Sequence, residues 1–239
     1  LCHQALMIDA EWWDYEDADE LAEAVAGDVA FLIEQALEAR GRAFVALPGG
    51  DTPRLALTLL AERKLEWADV TIVPTDERLV APTDPRSNVG MLAKLFLPKR
   101  ARVVPLSAGE TDPVMAGRAA DERLAALDWP LDLALLGMGA DGHVASIFPG
   151  PDYDAALNGP KARLAMGVRP EPMPADMPVP RVTLTKAALV SARVVTMMVT
   201  GAEKRRVLET ALKDGAASAA PVGRLLADLE MDIDIHWCA

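Results

Sequence analysis

Asp141, Gly142 and His143 follow an apolar run, LALLGMG, and precede VASIFPG. Imidazole is the side chain best matched to moving a proton near neutral pH. A His presented from a glycine-rich bend at a strand end can reach a bound ligand. Asp141, two residues before it, is close enough to orient the ring, as is a carboxylate from elsewhere in the fold. The chemistry indicated is general-base catalysis with His143 as the base. Gly137, Gly139 and Gly142 also match G-x-G-x-x-G formally, a weak sign of a dinucleotide site. Here the pattern comes late in the chain, and Pro149 and Gly150 leave little room for the long helix that should follow. No acidic residue ends a second strand at the expected distance, so a nicotinamide site is rejected.

Three further blocks carry residues that can bind an anion or a polyol. In PGGDTPR, Gly49 and Gly50 allow a tight turn and close backbone approach. Thr52 offers a hydroxyl or a helix cap, and Pro53 suits a first helical turn. Such a helix start favours a phosphate, but an ordinary turn with a capped helix reads the same way. In TDERLVAPTDPRSN, Asp76, Glu77 and Arg78 follow an apolar run, and Ser87 and Asn88 open the next helix. That triplet fits either a solvated loop or a site at a strand end. Arg181 starts RVTLT, and Lys204 lies in the first helical turn of TGAEKRRV. Both can clamp a phosphate, Arg as a fork and Lys as a point charge, or be surface cations, as Arg205 and Arg206 are read to be. Zinc-type ligand spacing is absent among His3, His143, His236 and the terminal cysteines. No G-x-S-x-G marks a serine nucleophile.

Elements must hold these blocks in place. Apolar residues at helical spacing predict a helix over 17–40, capped by Asp17 or Asp19 and ended by Gly41. Strands are expected at 43–48, 69–74, 103–106 and 131–139, in RVTLT and VVTMMVTG, and in DIDIHWC. Helices are expected at 53–63, 87–96, 113–127, 202–213 and 221–229, with a short turn at 186–190. The Pro-rich stretch 149–180 reads as a long surface loop or lid-like insertion. This alternation implies an α/β fold with a parallel sheet and helices on both faces, plus a small loop-rich lobe. In such sheets ligands bind beyond the carboxyl ends of the strands, where every block above falls.

The composition, 51% hydrophobic and 25% charged, suits a globular protein with a real core. Aromatics make up only 5%, so Ala, Leu and Val must fill that core. A net charge of −12 disfavours nucleic acid and anionic membrane as partners. It also means that an anionic ligand needs local cations. Two cysteines near opposite ends, Cys2 and Cys238, are too few for a disulfide framework and point to a reducing compartment. No apolar run is long enough to span a bilayer. Residues 1–6 are read as an N-terminal extension, with Met7 as the natural start and 7–239 as one domain.

Together, in their order along the chain, the four blocks resemble the glucosamine-6-phosphate isomerase/6-phosphogluconolactonase family, on its lactonase side. The most specific segment is GMGADGHVASIFPG, supported by GGDTP, TDERLVAPTDPRSN, RVTLT and the Gly201-to-Lys204 turn. The deaminases of this family typically carry Asn before the Gly-His pair and a different tail. The resemblance implies a Rossmann-like, mostly parallel sheet. It also implies hydrolysis of 6-phospho-D-glucono-1,5-lactone without metal or organic cofactor, in the cytoplasm, by a monomer or weak homodimer. By the same resemblance Gly49, Gly50 and Thr52, with Arg181 and Lys204, would line the phosphate end. Asp76, Arg78, Ser87 and Asn88 would shape the sugar pocket, and Gly139 would join the substrate-binding residues. His143 would activate water, with Asp141 adjacent. The family commonly has Ser where this chain has Asp51; a carboxylate there would repel phosphate, so Asp51 must point away or pair with Arg54 or Arg86. A glucosamine-6-phosphate deaminase and a non-catalytic sugar-phosphate sensor are the competing classes.

Overall fold

The structure, a computed structural model, describes residues 9–175 and 177–239. The proposed extension 1–6, with Cys2 and His3, and the start at Met7 lie outside the described residues. The core is a seven-stranded sheet in the order β1 (Ala10–Tyr15), β10 (Ile233–Cys238), β9 (Val194–Thr200), β6 (Leu133–Leu136), β2 (Ala43–Leu47), β3 (Val70–Pro74), β5 (Arg102–Val103). Every pairing in it is parallel.

Buried parallel strands must be apolar on both faces, and β2 (AFVAL) and β6 (LALL) are buried throughout. The two-residue alternation of a strand splits each between two cores. Val45, Leu47, Leu133 and Leu135 join α1 (Ala18–Arg40), α2 (Asp51–Ala61) and α3 (Asn88–Phe96) on one face. Phe44, Ala46, Ala134 and Leu136 join α4 (Pro113–Ala125), α6 (Lys186–Val190), α7 (Ala202–Asp214) and α8 (Pro221–Leu226) on the other. Of the two caps open in the sequence, Asp17 is the one used: its carboxylate accepts from the Asp19 and Glu20 N–H groups. Gly41, at φ 68°, ends α1.

From β2 the chain runs to β3 and β5 on one side, while β6, β9 and β10 fill the other. The reversal between β2 and β6 is a topological switch point, where a crevice opens beyond the strand ends. Among the described residues, no helix is long and apolar enough to cross a membrane.

A second, antiparallel sheet differs from the sequence reading. It comprises β4 (Asp76–Arg78), β8 (Arg181–Leu184) and β7 (Ala165–Val168), in that order. The Asp76 triplet is thus a strand rather than a loop, and RVTLT pairs with it outside the main sheet. The stretch 149–180 is not a plain loop: it holds α5 (Tyr153–Asn158) and β7. Its Gly167 looks like a loop residue but permits a close approach, since a Cβ there would strike the Pro113 carbonyl of α4. The acidic stretch AEWWDY forms edge strand β1. Arg205 is more than a surface cation: its guanidinium lies 4.7 Å from the Trp12 ring and 4.4 Å from the Trp237 ring. It also pairs with Asp14 and Glu209, pinning α7 to the sheet edge.

His236 on β10 is 2% exposed. Its Nδ1 is 2.9 Å from the Tyr15 hydroxyl, and its Nε2 is 3.5 Å from Asp28. Burial pushes its pKa down, and outweighs the pull of Asp28 and Asp234 in the other direction. In the unfolded chain this ring protonates near its ordinary value of about 6.5. Its contribution to stability is therefore complete above that pH and is lost as the pH falls toward the lower folded value. The melting temperature should drop between pH 7.5 and pH 5.5, and His236→Gln should flatten that drop. An equal drop in the variant would remove His236 as its cause.

Candidate active site

A cleft of about 220 Å³ opens beyond the ends of β2, β3, β6 and β9. Its wall includes Gly49, Gly50 and Thr52 after β2, Asp76 and Arg78 on β4, and Gly139 and His143 after β6. Arg181 at the start of β8 and Lys204 in the first turn of α7 complete the set. Four separate strand exits thus bring most of the sequence-nominated residues to one place. Asp141, Ser87 and Asn88 are not on the wall.

His143 belongs to a bend anchored from below. Val144 and Ile147 are both 1% exposed and enter the core, and the Ile147 N–H closes the turn on the Val144 carbonyl at 2.9 Å. Ala145 takes the left-handed conformation at φ 51°. Ser146, fully buried, donates from Oγ to Asp76 Oδ2 at 2.5 Å and from its N–H to Thr183 Oγ1 at 3.1 Å. The bend is thereby fastened to the small sheet.

The His143 ring is held on several sides. Asp141 Oδ1 lies 2.5 Å from Nδ1 and accepts the His143 N–H at 3.1 Å. A carboxylate only accepts, so in the neutral ring the proton sits on Nδ1 and Nε2 keeps its lone pair. Burial alone would raise the Asp141 carboxyl, but the hydrogen bonds and charge of His143 hold it below the usual carboxylate range. A Cβ at Gly139 would run into Nδ1 and Cε1 of the ring, so glycine there lets the imidazole lie against the backbone. The Phe148 ring stacks on His143 at 4.1 Å between centroids, with 29° between planes.

A buried polar network supports the opposite wall. Asn88, 1% exposed, donates through Nδ2 to the Asp76 carbonyl (2.7 Å) and carboxylate (3.1 Å). Its Oδ1 accepts from Arg78 Nη1 at 2.5 Å. A Cβ on Gly49 would strike this carboxamide, which gives Gly49 a packing reason beyond its turn. Asn88 thus sets Arg78 and Asp76 from behind the wall. Ser87 caps α3 by accepting the Gly90 N–H at 3.0 Å and donates to Glu77 at 3.1 Å, so its hydroxyl is spent away from the cleft.

Glu77 carried no role in the sequence reading. It accepts the N–H of Arg78 on its own strand and those of Asn88 and Val89 at the start of α3. Burial raises its carboxyl above the ordinary Glu range despite these bonds. A carboxylate at a helix start was legible only once β4 was known to fold back against α3.

The cationic side is Arg78, Arg181 and Lys204, three cations against Asp51 and Asp76 on the same wall. This reverses locally the chain's net charge of −12. Arg181 is 5% exposed; it donates to the Met177 carbonyl at 3.3 Å and sits 5.0 Å over the Phe148 ring. Lys204 makes no ion pair among the described residues. Neither α2, which starts after Gly50 at φ 103°, nor α7, which starts after Gly201, has a side-chain cap. Asp51 is 99% exposed in its side chain and pairs with Arg54 at 3.3 Å. Among the described residues, no group of three or more His, Cys, Asp or Glu is gathered to hold a metal.

Comparison with known proteins agrees with this architecture. A sequence profile of the glucosamine-6-phosphate isomerases/6-phosphogluconolactonase family matches residues 16–235. A 6-phosphogluconolactonase of Mesorhizobium japonicum is 34% identical over 230 residues, covering 95% of this chain and 94% of that protein. One from Pseudomonas putida is 35% identical, covering 93% and 90%. The crystal structure of a 6-phosphogluconolactonase from Shewanella baltica superposes with a TM-score of 0.89 at 28% identity, covering 98% of this chain and 99% of that one. The chain belongs to the glucosamine-6-phosphate isomerase/6-phosphogluconolactonase family.

Proposed function

We propose that this chain hydrolyses 6-phospho-D-glucono-1,5-lactone to 6-phospho-D-gluconate, a step of the pentose phosphate pathway, with His143 as general base. One observation carries the reading. An imidazole whose Nδ1 is committed to Asp141 shares a cleft with Arg181 and Lys204. A base and an anion anchor are thus set apart in one small space.

The steps follow from this arrangement. The phosphate rests on the Gly49–Gly50 turn, near Thr52 and the uncapped start of α2, with Arg181 and Lys204 neutralising it. Asp76 and Arg78 contact the sugar hydroxyls, while Asn88 and Ser87 hold that wall from behind. Water lies between His143 Nε2 and C1. As the water oxygen bonds to C1, its proton passes to Nε2. The C1–ring oxygen bond then breaks, and Nε2 returns the proton to the departing oxygen. The ester is already activated, so proton transfer and positioning suffice.

The scarcity of cysteine supports a reducing cytoplasm as its place of work. We read residues 7–239 as one working domain, acting as a monomer or weak homodimer.

The direct test is acid release from the lactone, corrected for spontaneous opening, beside an ammonia assay with glucosamine 6-phosphate. Ammonia release, or tight phosphosugar binding without hydrolysis, would overturn the reading. Lys204→Ala separates the phosphate end from the chemistry. Losing one charged contact should raise KM for the phosphorylated lactone about 10-fold or more. Hydrolysis of unphosphorylated glucono-1,5-lactone should be unchanged; equal losses on both would remove Lys204 from the phosphate end.

A further inference from the structure

We infer that Phe148 is a positioning residue that fixes the separation between the base and the phosphate anchor, and so selects the length of the substrate; this rests on the general-base reading above. His143 and Phe148 flank the tight turn at Val144–Ile147, and that turn brings their rings face to face at 4.1 Å. The same phenyl ring lies under the Arg181 guanidinium at 5.0 Å. One rigid side chain therefore touches both the imidazole and a cation of the anchor.

Neither contact is fixed by its own element alone. Asp141 holds the imidazole at its Nδ1 edge, but an edge contact leaves the ring free to tilt about that bond. A stacked phenyl opposes the tilt. Arg181 comes from the small sheet, on a different part of the chain from the His143 bend. The cation–π contact, together with the Ser146 bonds to Asp76 and Thr183, registers that sheet against the bend. A lactone whose phosphate is seated at Arg181 then meets Nε2 with its C1 carbonyl only if its reach matches. A branched aliphatic residue at 148 would fill similar space but offer no flat face to either partner.

The experiment compares Phe148→Leu, Phe148→Tyr and His143→Ala on phosphorylated and unphosphorylated glucono-1,5-lactone, with melting temperature as the control for folding. In Phe148→Leu, loss of ring alignment should lower kcat on both lactones by about 10–100-fold. KM for the phosphorylated lactone alone should rise about 2–5-fold, as the cation–π contact is lost. Phe148→Tyr keeps the flat face and should restore both parameters to within about threefold of wild type. The joint effect distinguishes positioning from packing, because a purely structural role lowers the melting temperature and leaves both constants of the folded enzyme unchanged. The inference is overturned if Phe148→Leu keeps wild-type kcat while His143→Ala is inactive. It is equally overturned if the Tyr variant is no better than the Leu variant. Wild-type activity in His143→Ala would instead overturn the general-base reading, and the inference with it.

Discussion

Replacing His143 with Ala should lower kcat for lactone hydrolysis by about 10²–10⁴-fold, the usual worth of a positioned general base. The fold should survive. The side chain is 27% exposed, and its polar partner Asp141 is 55% exposed, so losing the ring leaves no deeply buried charge. The bonds that hold the bend do not need the imidazole. Gly139 donates to the His143 carbonyl at 2.9 Å, and Val222 donates to the Gly142 carbonyl at 3.0 Å. Val144 and Ile147 stay in the core. KM should change little, since the phosphate contacts lie elsewhere on the wall. The assay needs an early time window, because the lactone opens unaided and a weak variant is masked by that background. A variant with near-normal kcat and an unchanged melting temperature would place the base elsewhere. Asp76 would be the next residue to test, as a carboxylate on the same wall.

The parts of this fold that depend on burial were readable from the chain, because a parallel strand covered on both faces has to be an apolar run. AFVAL, VTIVP, LALL and VVTMMVT stand out for that reason, and they deliver their trailing loops to one crevice. The antiparallel sheet follows a different rule. Asp76, Glu77 and Arg78 make a strand by pairing with Val182 and its neighbours, and pairing partners are not visible in a local pattern. β7 was hidden by Gly167, which reads as a breaker but serves contact with α4.

The site shows the same division. His143, Lys204 and the glycine turn could be nominated from residue type and position alone. Distinguishing a wall residue from a supporting one could not be done that way. Ser87 and Asn88 open α3 side by side, yet one caps the helix and the other reaches Arg78 and Asp76. Phe148 and Ser146 sit inside the most informative motif. Ser146 takes its role from Asp76, and Phe148 joins nearby His143 to Arg181, so in both cases the distant partner left no local sign.

Asp141→Asn should lower kcat by about 10²-fold or more with a small change in KM, because it attacks the tautomer of the base rather than its presence. Asp141 Oδ1 accepts both the backbone N–H and Nδ1 of His143. If the Asn side chain presents its oxygen there, the Nδ1–H tautomer persists. The ring must then become an imidazolium in the transition state with no negative charge beside it. If the amide NH₂ turns toward the ring, it donates to Nδ1 and moves the proton to Nε2, which can no longer accept from water. Both outcomes slow the proton transfer and leave the phosphate end intact. Asp141→Ala removes the carboxamide and lets water reach Nδ1, so it should retain more activity than Asn if the flipped amide dominates. Stability is a separate readout. The depressed Asp141 pKa contributes stability that is complete above the ordinary carboxylate value of about 3.9 and lost as the pH falls through the lower folded value. Because the group is half exposed, the melting temperature at neutral pH should shift only slightly. A large kcat loss with a near-constant melting temperature supports orientation. An Asp141→Asn enzyme with wild-type kcat would mean that the short contact to Nδ1 does not govern which nitrogen faces the cleft.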